Sequence, residues 1–433
     1  MTAADPCTMS LIAPFTGLRP VPERAAELIA PPYDVMDAAE ARALVVGRPW
    51  SFLHLSRPEV DFPADQCPDD PVCFTQAATT LARMGATGLL RRDARPCFYC
   101  YRLIRGAQVQ TGLVLAASLA AYRKGRIRRH EVTLTAKEED RMRQIAALNA
   151  QTGPALLIHR RLSAIDDTLA AITQGEPAVD VLAADGVRHT LWPIADQLLI
   201  DRLTAGFEAQ ERLYIADGHH RTAAAERIRA ARQAANPDHT GTASYNRFLA
   251  VRFPADVLQV LSVNRLVRDL NGLDAADFLH RVAERFTVAA SPVPVLPDRP
   301  GEFGLYLDAT GDHTEDHIGN RSWYRLILDP LRVPTADPVA RLDVRLLQNH
   351  LLAPILGIGD PRRDPRIDFV GGIRGLEGLM QPVDSGAMRL AFSLYPTALS
   401  DLFAVADRGK TMPPKCTWFE IKLADGMVSL VLD

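Results

Sequence analysis

The chain has 433 residues, of which 47% are hydrophobic and 23% are charged, and its formal net charge is −3 at pH 7. This length exceeds what one compact core ordinarily supports, so we predict two or three domains. The near-neutral charge gives no global basic field, and we therefore expect neither a nucleic acid nor a membrane as a partner.

The cysteines and the N-terminus both indicate a cytoplasmic protein. The six cysteines are scattered rather than spaced as a disulfide framework. The first residues lack the basic start and apolar run of a secretory signal. The longest strongly apolar stretch, residues 113–121, is far shorter than the roughly 20 residues that cross a bilayer.

Residues 11–60 are rich in turn signals, and residues 1–95 are predicted to form an N-terminal α/β segment. The prolines of residues 30–35 stiffen an extended stretch that we expect to line a site. Asp37 is predicted to cap a helix. Residues 51–55 alternate as a strand, and a helix is predicted over about 74–85.

A hairpin and then a helix with many charged residues are predicted next. The predicted hairpin strands are 98–104 and 110–120. Thr135 with Glu138 forms a capping-box pattern, which predicts a helix that begins near residue 136. Most charges over 137–143 then fall on a solvated helix face.

The most informative stretch begins with the short apolar run 213–216, which reads as a strand that leads into a turn and a helix. A helix N-terminus presents unpaired amides and a positive dipole end, so anions settle there. Asp217 could hold a magnesium ion or a substrate hydroxyl. The alternative is that Asp217 merely caps the helix while the histidines pair with neighbouring loops. The predicted cofactor-binding residues are Gly218, His219, His220, Arg221 and Thr222.

The last third of the chain is predicted to be a separate C-terminal α/β domain, residues 301–433, after a proline-rich linker over 291–300. Before the linker, residues 248–253 and 260–263 read as paired strands. Further elements are predicted as strands at about 303–308 and 323–328 and a helix at 341–352. His313 and His317 have the spacing of a metal-binding helix, but glycines flank them in what reads as a hairpin loop, so we do not predict a metal there.

Two motifs together resemble a known signature. His130-Glu131-Val132-Thr133, upstream of Asp217-Gly218-His219-His220-Arg221, is similar to the paired motifs of free-serine kinases in the ParB/sulfiredoxin-like superfamily. The resemblance implies an α/β fold with a mixed sheet and a ParB/sulfiredoxin-like core, residues 96–290, within a larger chain. It also implies a nucleotide bound at a strand-turn-helix element and phosphorylation of a free amino-acid hydroxyl.

Over nearly its full length the chain is also similar to a bacterial and archaeal family known only as a domain of unknown function. That family usually has serine where Cys416 stands, so the substrate pocket is expected to differ. The segments that carry this similarity are residues 14–15, 30–35, 54–59, 130–141, 217–221 and 412–415.

A hydroxyl kinase needs a group that takes the hydroxyl proton and cations around the transferring phosphoryl group. The kinase resemblance makes Glu131 the candidate base and His130 its neighbour on a small-molecule substrate. Asp217 would position magnesium or the acceptor, and ATP or ADP would be the donor. Arg129 and Lys415 are the predicted substrate-binding cations, although Lys415 reads equally well as an ordinary exposed lysine.

Two alternatives remain open at this point. One is a nucleotide-binding regulatory protein without acceptor chemistry, for which Glu131 would be dispensable. The other is metal-assisted hydrolysis that uses His219, His220 and Asp217. Successive side chains of a helix point about 100° apart, so the two histidines can hardly ligate one ion, and this hypothesis ranks last.

Overall fold

A computed structural model describes residues 10–309 and 321–433 of the chain. It is a mixed α/β structure, as predicted, and it divides into two compact units. The first unit takes the chain up to residue 129 and then residues 133–258 and 421–433, and the second takes 130–132 and 259–420. Within the described ranges, no helix is long and apolar enough to cross a membrane.

The first unit is built on a mixed sheet whose central strands are buried. Arg247–Pro254 runs parallel to Ala155–His159 and antiparallel to Gln108–Ser118, so it has neighbours on both edges. This position explains its nearly continuous apolar sequence. In order across the sheet, its strands are Ile127–Arg128, Leu213–Asp217, Ala155–His159, Arg247–Pro254, Gln108–Ser118, Phe98–Arg105, Arg188–Ile194 and Val179–Leu182, with Ile12–Ala13 beside Gln108–Ser118.

A smaller antiparallel sheet of the first unit joins distant parts of the chain. In order, its strands are Leu90–Arg92, Gly17–Pro20, Ser429–Val431 and Ala150–Gln151. The C-terminal residues therefore pair with strands from near the N-terminus. The α-helices of this unit are Ala25–Leu28, Ala38–Val45, Leu53–Ser56, Pro71–Ala86, Leu119–Arg123, Thr135–Leu148, Ser163–Ile172, Gln197–Glu208 and His219–Ala235.

The second unit is built on an antiparallel sheet. The predicted strands near 303–308 and 323–328 are confirmed as the pair Glu302–Asp308 and Arg321–Leu328. In order, the strands of the sheet are Phe286–Ser291, Arg321–Leu328, Glu302–Asp308, Leu390–Leu394, Val263–Val267 and Ile367–Gly371, and Gln259–Leu261 pairs separately with Trp418–Glu420. The α-helices are Ala275–Ala283, Asp343–Leu347, Glu377–Asp384 and Leu399–Asp407.

The proline-rich segment 291–300 lies inside the second unit. The division into 1–95, 96–290 and 301–433 stays a prediction. The pattern at His313 and His317 lies outside the described residues.

The predicted strand over 51–55 is wrong, because this stretch enters the short helix Leu53–Ser56. Three of these residues, Phe52, Leu53 and Leu55, are all buried. The alternation of residue types therefore does not divide a solvent-exposed face from a buried face. The Ser51 hydroxyl accepts a hydrogen bond from the Leu53 amide at 3.3 Å. This local bond favours a turn over an extended backbone.

Two further local predictions are wrong in detail. The helix predicted to begin near residue 136 is confirmed as Thr135–Leu148, but the predicted capping box is wrong, because Leu134 is the N-cap and there is no side-chain cap. The Glu138 carboxylate instead accepts from the Thr133 hydroxyl. The predicted pairing of 248–253 with 260–263 does not occur, because both edges of the strand Arg247–Pro254 are already occupied.

Candidate functional site

The predicted strand, turn and helix around Asp217 are confirmed. The strand Leu213–Asp217 is followed by Gly218, and the helix His219–Ala235 begins at once. Gly218 has φ +89°, the left-handed region that disfavours a side chain. A Cβ at this position would lie 2.9 Å from the Ala155 Cα atom. The backbone of the turn therefore lies directly against the neighbouring strand.

We expect Gly218→Ala to destabilise the protein by about 1–2 kcal/mol more than Gly47→Ala. Both glycines have positive φ, but a Cβ on Gly47 would meet no atom within 4 Å. Gly47→Ala thus measures backbone strain alone, whereas Gly218→Ala adds a clash with main chain. Urea unfolding of both variants at pH 7 measures the difference. Equal losses would contradict the close approach at Ala155.

The carboxylate of Asp217 is held by two donors. Oδ2 accepts from the Lys422 Nζ atom at 2.9 Å, and Oδ1 accepts from the Gly218 amide at 2.7 Å. The Arg221 Nη2 atom lies 3.6 Å from Oδ1. Burial favours the neutral acid, but the charges of Lys422 and Arg221 outweigh it and hold the pKa of Asp217 well below its usual range. Asp217 is therefore ionised at neutral pH.

This arrangement does not fit a resident magnesium ion at Asp217. Both carboxylate oxygens already have donors, and two cations stand where a metal would add a third positive charge. Within residues 10–309 and 321–433, no group of three or more histidine, cysteine, aspartate and glutamate side chains could hold a metal ion.

Arg221 is held between carboxylates. Its Nη1 donates to the Pro154 carbonyl oxygen at 2.7 Å, and its Nη2 lies 3.7 Å from the Asp34 carboxylate. Burial alone would lower the pKa of this guanidinium, but Asp34 and Asp217 raise it above its usual value. The side chain is 11% exposed, and in the described chain its Nε has no hydrogen-bond partner. A buried N–H without an acceptor indicates a place for a ligand atom or a water.

A small cavity of about 20 Å³ lies beside Arg221. This volume is room for about one water molecule. The Arg141 guanidinium carbon lies 3.9 Å from the centre of the Tyr33 ring, and that of Arg221 lies 6.0 Å from it. Burial is the main cause that raises the pKa of Tyr33 to about 12, so its hydroxyl is neutral. The lining residues are Tyr33, Ser56, Arg141, Gln144, Ile145, Gln151, Thr152, Gly153, Arg221 and Asp425.

Asp425 brings a second carboxyl group to the cavity. It is 1% exposed, and burial, only partly offset by Arg221, raises its pKa to about 7. Among the described atoms its Oδ1 has no hydrogen-bond partner. A Cβ on Gly153 would lie 3.3 Å from this oxygen and 3.4 Å from the Arg221 Cδ atom. The absence of a side chain at Gly153 thus keeps open the space between carboxyl and guanidinium.

The remaining residues of the predicted phosphate-binding group have protein partners. His219 is buried. The Leu134 amide donates to His220 Nε2 at 3.1 Å. Burial, with help from Lys137, lowers the pKa of His220, so the ring is a neutral acceptor at pH 7. The buried Thr222 hydroxyl donates to the Gly218 carbonyl at 3.2 Å. Of the predicted group, Arg221 is the residue that lines the cavity.

Arg129 is an exposed residue of the first unit that hydrogen-bonds Tyr122. His130 and Glu131 belong to the second unit, where the Met412 amide donates to the His130 carbonyl at 2.7 Å. Their predicted grouping with Asp217 stays a prediction.

Glu131 and Lys415 both lie near Cys416 in the second unit. Burial raises the pKa of the Cys416 thiol to about 12, against the lowering effect of Arg265, and the Glu131 carboxylate adds to the rise. Lys415 is exposed, with φ +56°, and its carbonyl accepts from Arg265 at 3.2 Å.

Sequence reasoning missed several residues of this site. Arg141, which was predicted to share a solvated helix face, is buried and stacks on Tyr33. Lys422 and Asp425 carry no local signal, because their partners lie about two hundred residues away. Tyr33 lies in a stretch predicted to line a site, so its place could have been found from the sequence.

Several solved structures are similar to this chain at low identity. A free serine kinase mutant in complex with ADP is 12% identical, with 76% of this chain and 95% of that chain covered and a TM-score of 0.35. SbnI from Staphylococcus aureus, with a C-terminal truncation, is 11% identical, with coverage of 73% and 87% and a TM-score of 0.38. A conserved hypothetical protein from Pyrococcus furiosus is 13% identical, with coverage of 75% and 98% and a TM-score of 0.31. Scores this low carry no argument about function.

No curated protein matches the sequence. Residues 12–345 match the model of a family described as a protein of unknown function, DUF1015. Because this match spans well over half of the 433 residues, the chain belongs to the DUF1015 family.

Proposed function

We propose that the protein is a nucleotide-dependent kinase that phosphorylates the hydroxyl of a small molecule, with free L-serine or a related hydroxy amino acid as the acceptor. The observation that carries the proposal is the turn from Asp217 to Arg221, where an ionised carboxylate, a buried guanidinium and a helix N-terminus meet. The resemblance of this turn and of the segment at Glu131 to free-serine kinase motifs supplies the reaction class.

The turn suits the phosphates of ATP or ADP. The helix His219–Ala235 has 17 residues, so its first amides and its dipole favour an anion. Arg221 adds a fixed positive charge whose Nε has no acceptor in the described chain. Gly218 supplies the left-handed backbone that brings the strand directly into this helix N-terminus. Catalysis of phosphoryl transfer relies chiefly on this kind of positioning and charge stabilisation.

The cavity suits one charged group of an amino acid. The Asp425 carboxyl stands near two guanidinium groups, those of Arg141 and Arg221, so the lining offers a partner of opposite charge to either an ammonium or a carboxylate. The volume of about 20 Å³ admits one such group rather than a whole molecule. This charge pairing favours an amino acid over an uncharged alcohol.

In the proposed reaction the acceptor oxygen forms a bond to the terminal phosphorus as the bond to the nucleotide breaks. Glu131 takes the hydroxyl proton, and Arg221 stabilises the negative charge on the phosphoryl oxygens. Asp217 anchors the turn through Lys422.

A regulatory nucleotide-binding protein is the second candidate function. It is favoured because both oxygens of the Asp217 carboxylate already accept hydrogen bonds from the protein.

The test is a ³¹P NMR assay of the purified protein with magnesium and ATP or ADP, against serine, threonine and homoserine. We expect a new phosphomonoester signal with one acceptor. Glu131→Gln should reduce its rate of formation by at least about 100-fold, because general base catalysis contributes roughly that much. Glu23→Gln, at an exposed glutamate, is the matched control and should act like the wild type.

Two outcomes would contradict the proposal. If nucleotide binds but no acceptor is phosphorylated, the regulatory function becomes the better interpretation. If the product forms equally fast with Glu131→Gln, the assignment of the base is wrong.

A further inference from the structure

A second cavity of the first unit lies beside the C-terminal half of the helix His219–Ala235. Its volume is about 130 Å³, and three arginines line it: Arg123, Arg229 and Arg247. Arg229 follows Arg221 by eight residues on this helix, a distance of about 12 Å along the axis. The arginine pocket, as we call these three residues and the space between them, is therefore separate from the cavity at Asp425.

The charge of the arginine pocket is strongly one-sided. The described residues that line it include no aspartate or glutamate. Glu226 accepts from Arg229 at 2.7 Å and lies 3.8 Å from Arg123, and Glu208, outside the lining, is close enough to Arg247 for their charges to interact. Glu226 thus serves two of the three guanidinium groups, and the described lining itself carries three positive charges and no negative one.

Two of the arginines are fixed by the fold. The Arg229 side chain is only 8% exposed and also donates to Gln233. Arg247 donates to the Ser10 and Ala116 carbonyl oxygens at 3.2 and 3.4 Å. Since these guanidinium groups are already oriented, a ligand would lose little side-chain entropy on binding them. Arg123, with its side chain 51% exposed, is able to close over the ligand.

The size and the donors of the pocket select the class of ligand. A volume of about 130 Å³ is several times that of one water and well below the space that drug-sized ligands occupy. Guanidinium forks match the oxygens of phosphate groups in pairs. His239, whose ring bonds the Tyr245 hydroxyl at 2.8 Å, and the Asn246 amide complete a polar wall. We propose that the arginine pocket binds a tetrahedral oxyanion, namely inorganic phosphate or the head of a phosphomonoester.

The experiment is a calorimetric titration of the full chain with inorganic phosphate, and with sulfate and acetate in parallel. We expect saturable binding of phosphate and sulfate and at least about tenfold weaker binding of acetate, which has one oxygen pair instead of a tetrahedral set. Arg123→Gln should weaken phosphate binding about tenfold. Arg91→Gln, at an exposed arginine of the same unit, should not change it.

A variant without a charge change makes the test independent of general electrostatics. Ala120 lines the pocket, and Ala120→Leu should weaken phosphate binding by filling the space while all three arginines stay. The proposal is overturned if phosphate does not bind, if acetate binds as tightly, or if both pocket variants bind phosphate like the wild type. The last outcome would assign the phosphate to another site, such as the turn at Asp217. None of these results bears on whether the protein is a kinase.

Discussion

Replacing Asp425 by asparagine is expected to raise the free energy of unfolding at pH 8 by up to about 4 kcal/mol. The carboxyl group is 1% exposed, and its pKa is raised to about 7 by burial, which Arg221 only partly offsets. At pH 8 the native state must therefore hold a buried, ionised carboxylate. Asparagine has nearly the same shape and no charge, so it removes this penalty.

The pH dependence gives this prediction its sign. In the unfolded chain the Asp425 carboxyl ionises near pH 4, whereas in the folded protein it ionises near pH 7. Between these values the folded state binds more protons, so the contribution of this group to the free energy of unfolding falls as the pH rises. We expect Asp425→Asn and the wild type to be equally stable near pH 4 and to diverge up to pH 7.

Urea unfolding of both proteins between pH 4.5 and 8 measures this divergence. Asp65→Asn, at an exposed aspartate of the same unit, is the control and should change stability by less than about 0.5 kcal/mol. If the free energy of unfolding changes with pH in the same way in the wild type and in Asp425→Asn, the carboxyl is not desolvated. If our proposed function is right, Asp425→Asn should also phosphorylate its acceptor more slowly. A variant that is more stable and less active is typical of a residue retained for function.

The residues of the site that are close to Asp217 in sequence could be predicted, whereas those about two hundred residues away could not. The strand, the glycine turn and the helix around Asp217 follow from patterns within about twenty residues. Asp217 is bonded by Lys422, and Arg221 stands near Asp425; both partners belong to the C-terminal segment, whose strand Ser429–Val431 pairs with Gly17–Pro20. No periodicity or spacing encodes such a long-range contact.

Misassigned residues show where patterns alone are ambiguous. The helix Thr135–Leu148 is polar enough that its charges read as one solvated face, yet Arg141 and Gln144 are buried. The Gln144 amide donates to the Leu55 carbonyl at 2.6 Å and so ties this helix to the stretch mistaken for a strand. A buried arginine that stacks on an aromatic ring cannot be told from a surface arginine by sequence period, because the distinction depends on what the fold places opposite it.

The pair formed by Asp217 and Lys422 is expected to show a coupling energy of about 1–3 kcal/mol in a double-mutant cycle at pH 7. The two atoms are 2.9 Å apart, and the side chains are 29% and 21% exposed. Each single change, Asp217→Asn or Lys422→Met, leaves one partly buried charge without its partner, and this loss exceeds that of a surface pair. The double variant removes both charges. Its loss in the free energy of unfolding should therefore be smaller than the sum of the losses in the two single variants.

A matched pair elsewhere in the chain isolates the effect of burial. Lys410 and Asp337 of the second unit also lie 2.9 Å apart, but their side chains are 47% and 41% exposed. The cycle of Asp337→Asn and Lys410→Met should give less than about 1 kcal/mol, as exposed pairs do. Urea unfolding of the wild type and the six variants provides both cycles. A coupling between Asp217 and Lys422 no larger than that of the control would contradict the anchoring role of Lys422.

The pH range of this coupling follows from the direction of the pKa shift. Because the pKa of Asp217 lies well below its usual range in the folded protein, its stabilising contribution is complete above about pH 4 and is lost only as the pH falls towards the folded value. The coupling should therefore stay constant between pH 5 and 8, where the stability difference at Asp425 changes most. Lys422→Arg keeps the charge and should retain most of the stability, whereas Lys422→Met should also slow phosphoryl transfer, since the turn that positions the phosphates loses its anchor.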